Sequence, residues 1–264
     1  MTVAGVMMVL EYDGAGFHGW QKQRGLKTVQ GELEEKLGLI LREKVTLTGA
    51  GRTDAGCHAS HQVASFNTGS AMALDTMARS INGLMRGDVV VRRIAPAPEG
   101  FNARFSAVSR AYRYLVALRA TALLRNRVWV VERLLDDAAM KDGAAAIVGE
   151  HDFSGFSKVG ERDRSNPVCR VRRAAWSAWD PGLAFEIEAD RFLHGMVRMI
   201  VGTMIRIGTG RAPSLCVKEI LDGRGACRGG PCAPARGLCL VHVSYGSTVD
   251  LGGDPAFTWT EALK

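Results

Sequence analysis

The chain has 264 residues, 47% of them hydrophobic and 23% charged. That excludes a disordered chain and sets a prior of one large domain or two small ones. The 34 Lys and Arg outweigh the 27 Asp and Glu, for a net charge of +7, which favours an anionic partner, nucleic acid first.

Aromatics are only 7%, so the core must rest mostly on Ala, Val, Leu, Ile and Met. No apolar run reaches the ~20 residues that cross a bilayer. The opening MTVAGVMMVLEYDG lacks a basic start and meets Glu11 and Asp13 early. It does not read as a signal peptide, and the expected compartment is the cytoplasm. Arg far outnumbers Lys, which suits bidentate phosphate contacts and stacking on bases; a GC-rich coding bias produces the same excess. Residues 1–105 hold 12 basic against 10 acidic side chains, and 106–264 hold 22 against 17. Both halves are basic, so a polyanion can use both. Cys57, Cys169, Cys216, Cys227, Cys232 and Cys239 form no Cys-x-x-Cys pair and read as buried or coil thiols.

In chain order, Val6–Tyr12 (VMMVLEY) predicts a buried strand that runs into the turn 13–16. Thr28 caps a helix whose apolar stripe is Val29, Leu33, Leu37 and Ile40. Val45–Thr48 is strand-like, and Gln62–Asn67 alternates as a second strand. Leu74–Met85 predicts a helix with Leu74, Met77, Ala78, Ile81 and Met85 inside, and Asp88–Ile94 another strand. The first hundred residues thus read β-α-β-β-α-β. Beyond Pro96 and Pro98, Ala111–Arg119 and Val128–Val131 predict strands and Asp136–Val148 an alanine-rich helix. Glu161–Arg173 reads as a basic loop. Ala174–Trp179 and Leu183–Ala189 form a hairpin about Asp180-Pro181-Gly182. His194–Ile207 predicts a deeply buried helix, Ser214–Leu221 a short one, 224–236 coil, and Gly237–Tyr245 the closing strand. Strands and helices without regular βαβ spacing imply an α+β fold with an antiparallel sheet. The expected division is 1–105 and 106–264, two similar halves with a cleft between them.

Three constellations carry chemistry. In Ala50-Gly51-Arg52-Thr53-Asp54-Ala55-Gly56-Cys57-His58-Ala59, an extended backbone puts Arg52 and Asp54 on one face. Glycines there permit close approach of a ligand. The competing reading is a turn with a solvated Arg–Asp pair. Cys57, His58 and His61 lack a further ligand at zinc spacing, and His58 is a candidate donor to phosphate. In the second, Phe101–Tyr114, Tyr112 and Tyr114 share a strand face opposite Arg113 and follow Arg110. Aromatic and Arg side chains side by side on a sheet grip single-stranded bases; core tyrosines with their hydroxyls at the sheet rim give the same pattern. In the third, Arg198 stands in the apolar run 192–200. It needs a carboxylate partner or a path along its stem to solvent.

Together, EYDGAGFHGWQKQ, TVQGELEEKL, AGRTDAGCHA, FNARFSAVSRAYRY, HDFSGFSK, FLHGMVRMIVGTM and GLCLV resemble the tRNA pseudouridine synthase A family over nearly the whole chain. The resemblance implies a homodimeric enzyme that isomerises uridine to pseudouridine at positions 38, 39 and 40 of the tRNA anticodon stem-loop. It also implies two α+β halves of ferredoxin-like type joined through a continuous, mainly antiparallel sheet. It places the catalytic aspartate at Asp54, the active-site tyrosine at Tyr112, the basic residue that pairs with the aspartate at Arg198, and an RNA-holding arginine at Arg52. Cys57, Cys239 and Arg236 depart from the residues common in the family; the two cysteines read as packing variants.

The chemistry fits these residues. The C1′–N1 bond breaks, the uracil turns, and a C1′–C5 bond forms. No redox change occurs, so no cofactor is implied, and the lack of a further ligand near Cys57, His58 and His61 leaves no metal expected. A carboxylate can attack the sugar, attack the base or remove a sugar proton. Tyr112 can stack on the uracil and help manage the C5 proton. The uridine must be flipped out, with recognition resting on RNA shape and backbone. His58, Arg110, Arg162, Arg164, Arg170, Arg172 and Arg173 are the further candidate RNA contacts. Two other classes remain open: a non-catalytic RNA-binding protein, and a hydrolase with paired carboxylates in which Asp13 is the second acid.

Overall fold

A computed structural model describes residues 4–158, 166–223, 229–246 and 249. Their strands are β1 (Ala4–Tyr12), β2 (Thr48–Gly49), β3 (His58–Thr68), β4 (Val89–Pro96), β5 (Ser109–Ala117), β6 (Trp129–Val130), β7 (Gly149–Asp152), β8 (Val168–Trp179), β9 (Gly182–Ala189) and β10 (Leu238–Ser244). The helices are α1 (Val29–Leu41), α2 (Leu74–Met85), α3 (Asp137–Ala146), α4 (Met196–Gly208) and α5 (Cys216–Leu221). The architecture is mixed α+β with mainly antiparallel strand pairing. None of the described helices is long and apolar enough to cross a membrane.

The chain forms two compact units, one running to Arg110 and resuming at Cys239, the other Ala111–Leu238. In the first, the strand order is β4-β1-β3-β10, with β2 beside β3. β1 lies antiparallel between β3 and β4, with Met8 opposite Ala64 and Ile94. A central strand covered on both faces carries a continuous apolar run rather than an alternating one, and Val6–Leu10 are all buried. The Thr28 hydroxyl accepts from the Gly31 amide at 3.2 Å, capping α1 as expected. From there Val29, Leu33 and Leu37 point fully inward. α2 buries Met77, Ile81 and Met85. Both helices end on an arginine in the left-handed region, Arg42 at φ 55° and Arg86 at φ 51°. β10 pairs in parallel with β3, Cys239 opposite His58 and Leu240 opposite Ala59. This pairing returns the closing strand to the first unit, where the expected 106–264 half had included it.

In the second unit, the order is β5-β9-β8-β7, with β6 parallel to β5. α3 is capped by the Asp136 carboxylate, which accepts from the Ala139 amide at 3.0 Å. Ten residues of α4 are buried, Arg198 not among them, in keeping with the apolar circumference of that segment. The Trp176 indole N–H donates to Met204 Sδ at 3.1 Å.

Three elements depart from expectation. Val45–Leu47 is not strand, and only Thr48–Gly49 pairs with β3. β7, the polar GEHD, has no apolar alternation to announce it. β8 begins at Val168, so Arg170, Arg172 and Arg173 lie on a strand and not in a loop. Cys169 and Val171 face inward between exposed arginines, a period-two pattern masked by the density of charge. Residues 159–165, with Arg162 and Arg164, lie outside the described residues, as does Cys227. Cys57, Cys169, Cys216 and Cys239 are buried, and Cys232 is half-buried.

Candidate functional site

Asp54 sits in an irregular loop between β2 and β3, and neighbouring backbone fixes that loop. The Trp20 amide donates to the Thr53 carbonyl at 3.0 Å, and the Gly56 amide to the Phe17 carbonyl at 3.2 Å. The Cys57 amide closes a turn on the Asp54 carbonyl at 3.1 Å. The Thr53 hydroxyl meets the Tyr12 hydroxyl at 2.8 Å. Thr53 is thus buried while its neighbours turn outward: Arg52 is exposed and Asp54 half-buried.

Two glycines make the fit possible. A Cβ on Gly14 would stand 1.8 Å from the Cys57 carbonyl oxygen. Gly19 adopts φ 87°, and its Cβ would lie 2.7 Å from the Thr53 carbonyl. The segment 13–20 is therefore a backbone cradle for the Asp54 loop.

Buried polar side chains complete the support. Gln62, fully buried, donates through Nε2 to the Gly51 carbonyl at 2.8 Å. Arg110 donates through Nε and Nη2 to the Ala50 carbonyl at 3.1 and 3.0 Å. Its Nη1 reaches the Ala107 carbonyl at 3.2 Å and its Nη2 the Arg104 carbonyl at 2.5 Å. Its guanidinium therefore braces three backbone positions. Sequence reasoning missed Trp20, Gln62 and this use of Arg110. No apolar contrast marks Gln62, because β3 also carries His58, Ser60, His61 and Ser65.

His58 is 1% exposed. Its Nδ1 accepts from the Gly14 amide at 3.1 Å, and the Asp13 carboxylate lies 3.1 Å from the same nitrogen. Asp13 also accepts from the Ala15 amide at 2.9 Å. Both side chains hold the 13–16 turn. His61, three residues along β3 from His58, belongs to the opposite strand face. It stacks on His242 at 5.1 Å, and burial, then the His242 charge, lower its pKa from 6.5 to about 4. Among the described residues, no three His, Cys, Asp or Glu side chains gather as a metal site.

In the second unit, Tyr112 on β5 is 7% exposed and meets the Phe192 ring edge-on at 5.0 Å. Tyr114 is fully buried, its hydroxyl donating to the Pro234 carbonyl at 2.8 Å. Arg198, two residues into α4, donates through Nε to the Ala233 carbonyl at 2.7 Å, while the Ala233 amide donates to the Arg198 carbonyl at 3.0 Å. This reciprocal pair fixes the root of the side chain. Arg236 donates through Nε to the Val128 carbonyl at 3.0 Å.

The basic residues of β8 each face an acid. Arg170 lies 3.5 Å from Glu150, Arg172 3.8 Å from Glu188, and Arg173 2.9 Å from Glu186. Glu186 is shared with Arg113. The exposed pairs contribute little to stability, which leaves Arg170 and Arg173 accessible, with side chains 67% and 65% exposed.

Residues 144–246 match the family described as tRNA pseudouridine synthase. Over 239 residues the chain is 44% identical to the tRNA pseudouridine synthase A of Chlorobium limicola, covering 89% of this chain and 97% of that one. It is 38% identical over 242 residues to the enzyme of that name from Acetivibrio thermocellus, covering 91% and 99%. With that from Nitrosococcus oceani it shares 38% over 248 residues, covering 93% and 95%.

Proposed function

Since the chain belongs to the tRNA pseudouridine synthase A family and isomerises uridine to pseudouridine in tRNA, we propose that Asp54 is its catalytic carboxylate and the anticodon stem-loop its target, at positions 38, 39 and 40. The observation that carries this reading is the Asp54 loop itself. Its backbone is bonded on both sides, and Asp54 and the cationic Arg52 turn outward about the buried Thr53. A loop held this firmly presents a carboxylate at a fixed place without reorganisation during the reaction.

The uridine is flipped out of the RNA. Asp54 acts while the C1′–N1 bond breaks and again as C1′–C5 forms. Arg52 holds the displaced RNA strand by its phosphates. Tyr112 meets the uracil with its ring and manages the C5 proton through its hydroxyl, and Arg198 pairs with the Asp54 carboxylate. These last two roles rest on the family resemblance of their segments. The protein acts in the cytoplasm as a homodimer, with residues 1–105 supplying the Asp54 motif and 106–264 the tyrosine and the second arginine.

The test is incubation of unmodified tRNA transcripts with the purified protein, followed by a pseudouridine-specific chemical probe read by primer extension. Stops in the 3′ side of the anticodon arm that vanish with Asp54→Asn are the expected result. Pseudouridine formed elsewhere in the tRNA, or formed by Asp54→Asn at the wild-type rate, overturns the corresponding assignment.

A further inference from the structure

The turn between β4 and β5 presents the side chains of Arg104 and Phe105 to solvent. Phe105 is 79% exposed, and the Arg104 guanidinium lies over its ring, 5.5 Å from the centroid. Singly exposed apolar side chains are ordinary; a rigidly mounted one is not. The Asn102 carboxamide oxygen accepts from the amides of both Arg104 and Phe105, at 3.0 and 3.1 Å. The Ala103 amide donates to the Ser65 hydroxyl on β3 at 3.1 Å, and the buried Tyr245 hydroxyl donates to the Ala103 carbonyl at 2.7 Å. Arg110 adds the bond to the Arg104 carbonyl.

The same Arg110 guanidinium holds the Ala50 carbonyl. Ala50 directly precedes Gly51-Arg52-Thr53-Asp54. The apex of the turn and the root of the Asp54 loop are therefore braced by one side chain. A group gripped at Phe105 is held in register with Asp54.

We infer that Arg104 and Phe105 form a stacking site for one unpaired nucleobase of the RNA substrate, separate from the uridine that reacts, with Arg104 meeting its phosphate. The inference rests on the proposed tRNA activity. An aromatic face with an adjacent guanidinium accepts any base, because every base has a π-face. The positive charge excludes basic partners and suits a polyanion. The site's function is to position the RNA strand before the target uridine leaves its stack.

Four substitutions in the full-length protein test it: Phe105→Ala, Phe105→Leu, Phe105→Trp and Arg104→Gln. Loss of base stacking corresponds to roughly a tenfold weakening. The KM for unmodified tRNA is expected to rise about tenfold in Phe105→Ala and in Phe105→Leu, with the loss in KM rather than kcat. Phe105→Trp restores wild-type KM, and tRNA quenches its added indole fluorescence beyond the wild-type change. Arg104→Gln weakens binding and lowers the salt slope by about one. Wild-type KM in either Phe105→Ala or Phe105→Leu overturns the stacking site, as does an unquenched indole in Phe105→Trp. A shift in self-association with unchanged tRNA affinity assigns the ring to a protein contact and overturns it too. These outcomes leave the proposed activity standing. A wild-type protein that binds tRNA but forms no pseudouridine strikes the activity instead.

Discussion

At the scale of single residues, Asp54 is separated from its supports by function. Asp54→Asn is nearly isosteric and leaves the braced loop in place. Turnover is expected to fall by more than about 10²–10³-fold while tRNA binding persists, measured by single-turnover kinetics beside filter binding. Tyr112→Phe keeps the ring and its edge-on contact with Phe192. It is expected to lower kcat more than affinity; an equal loss in both would make the hydroxyl a binding group. Buried His61 gives a pH effect of definite sign. Its unfolded form takes a proton near 6.5, its folded form only near 4. The unfolded chain therefore binds more protons between those values. The contribution to stability is complete above about pH 6.5 and is lost as pH falls toward 4, on the order of 3 kcal/mol in all. His61→Gln is expected to flatten that acid limb in urea titrations taken across the range. The Asp54 motif was legible in the sequence because its residues are contiguous. Arg110 was not legible as a brace, because the carbonyl it holds lies sixty positions away and any arginine near aromatics in a basic chain reads as an RNA contact.

At the scale of elements, the Asp54 loop depends on the turn beneath it. Gly14→Ala drives a methyl into the Cys57 carbonyl, where the obstacle is backbone and cannot rotate away. A cost of about 1–3 kcal/mol is expected, seen as a lower melting temperature together with a lower kcat as the loop shifts. Arg42 tests the opposite sign. It ends α1 in a conformation that glycine adopts freely. Arg42→Gly is expected to raise stability by up to about 1 kcal/mol without changing activity, measured by denaturant unfolding. Elements with a strong apolar signal, the helical period of α2 and the continuous run of β1, were legible to within about two residues. β7 was not, since an edge strand of Gly, Glu, His and Asp buries too little to leave a pattern. The start of β8 was hidden for a related reason: arginines on its exposed face outnumber the two inward side chains that define it.

At the scale of the whole molecule, the +7 charge sets how strongly RNA is held. Substituting two or three of Arg162, Arg164, Arg170, Arg172 and Arg173 is expected to raise KM and flatten the salt dependence of binding by about one per lost phosphate contact, with little change in the maximal rate. Identical salt slopes would show those arginines to be bystanders, with the charges of Arg170, Arg172 and Arg173 spent on Glu150, Glu188 and Glu186. The return of β10 to pair with β3 has a bearing on synthesis. Domains generally mature on the ribosome in the order they are made. Here the unit begun first receives its last strand only after the other 128 residues, Ala111–Leu238, have been translated. Until β10 is made, the β3 edge that it pairs with has no partner on that side, and the strand that carries His58 and Ala59 behind the Asp54 loop is incompletely paired.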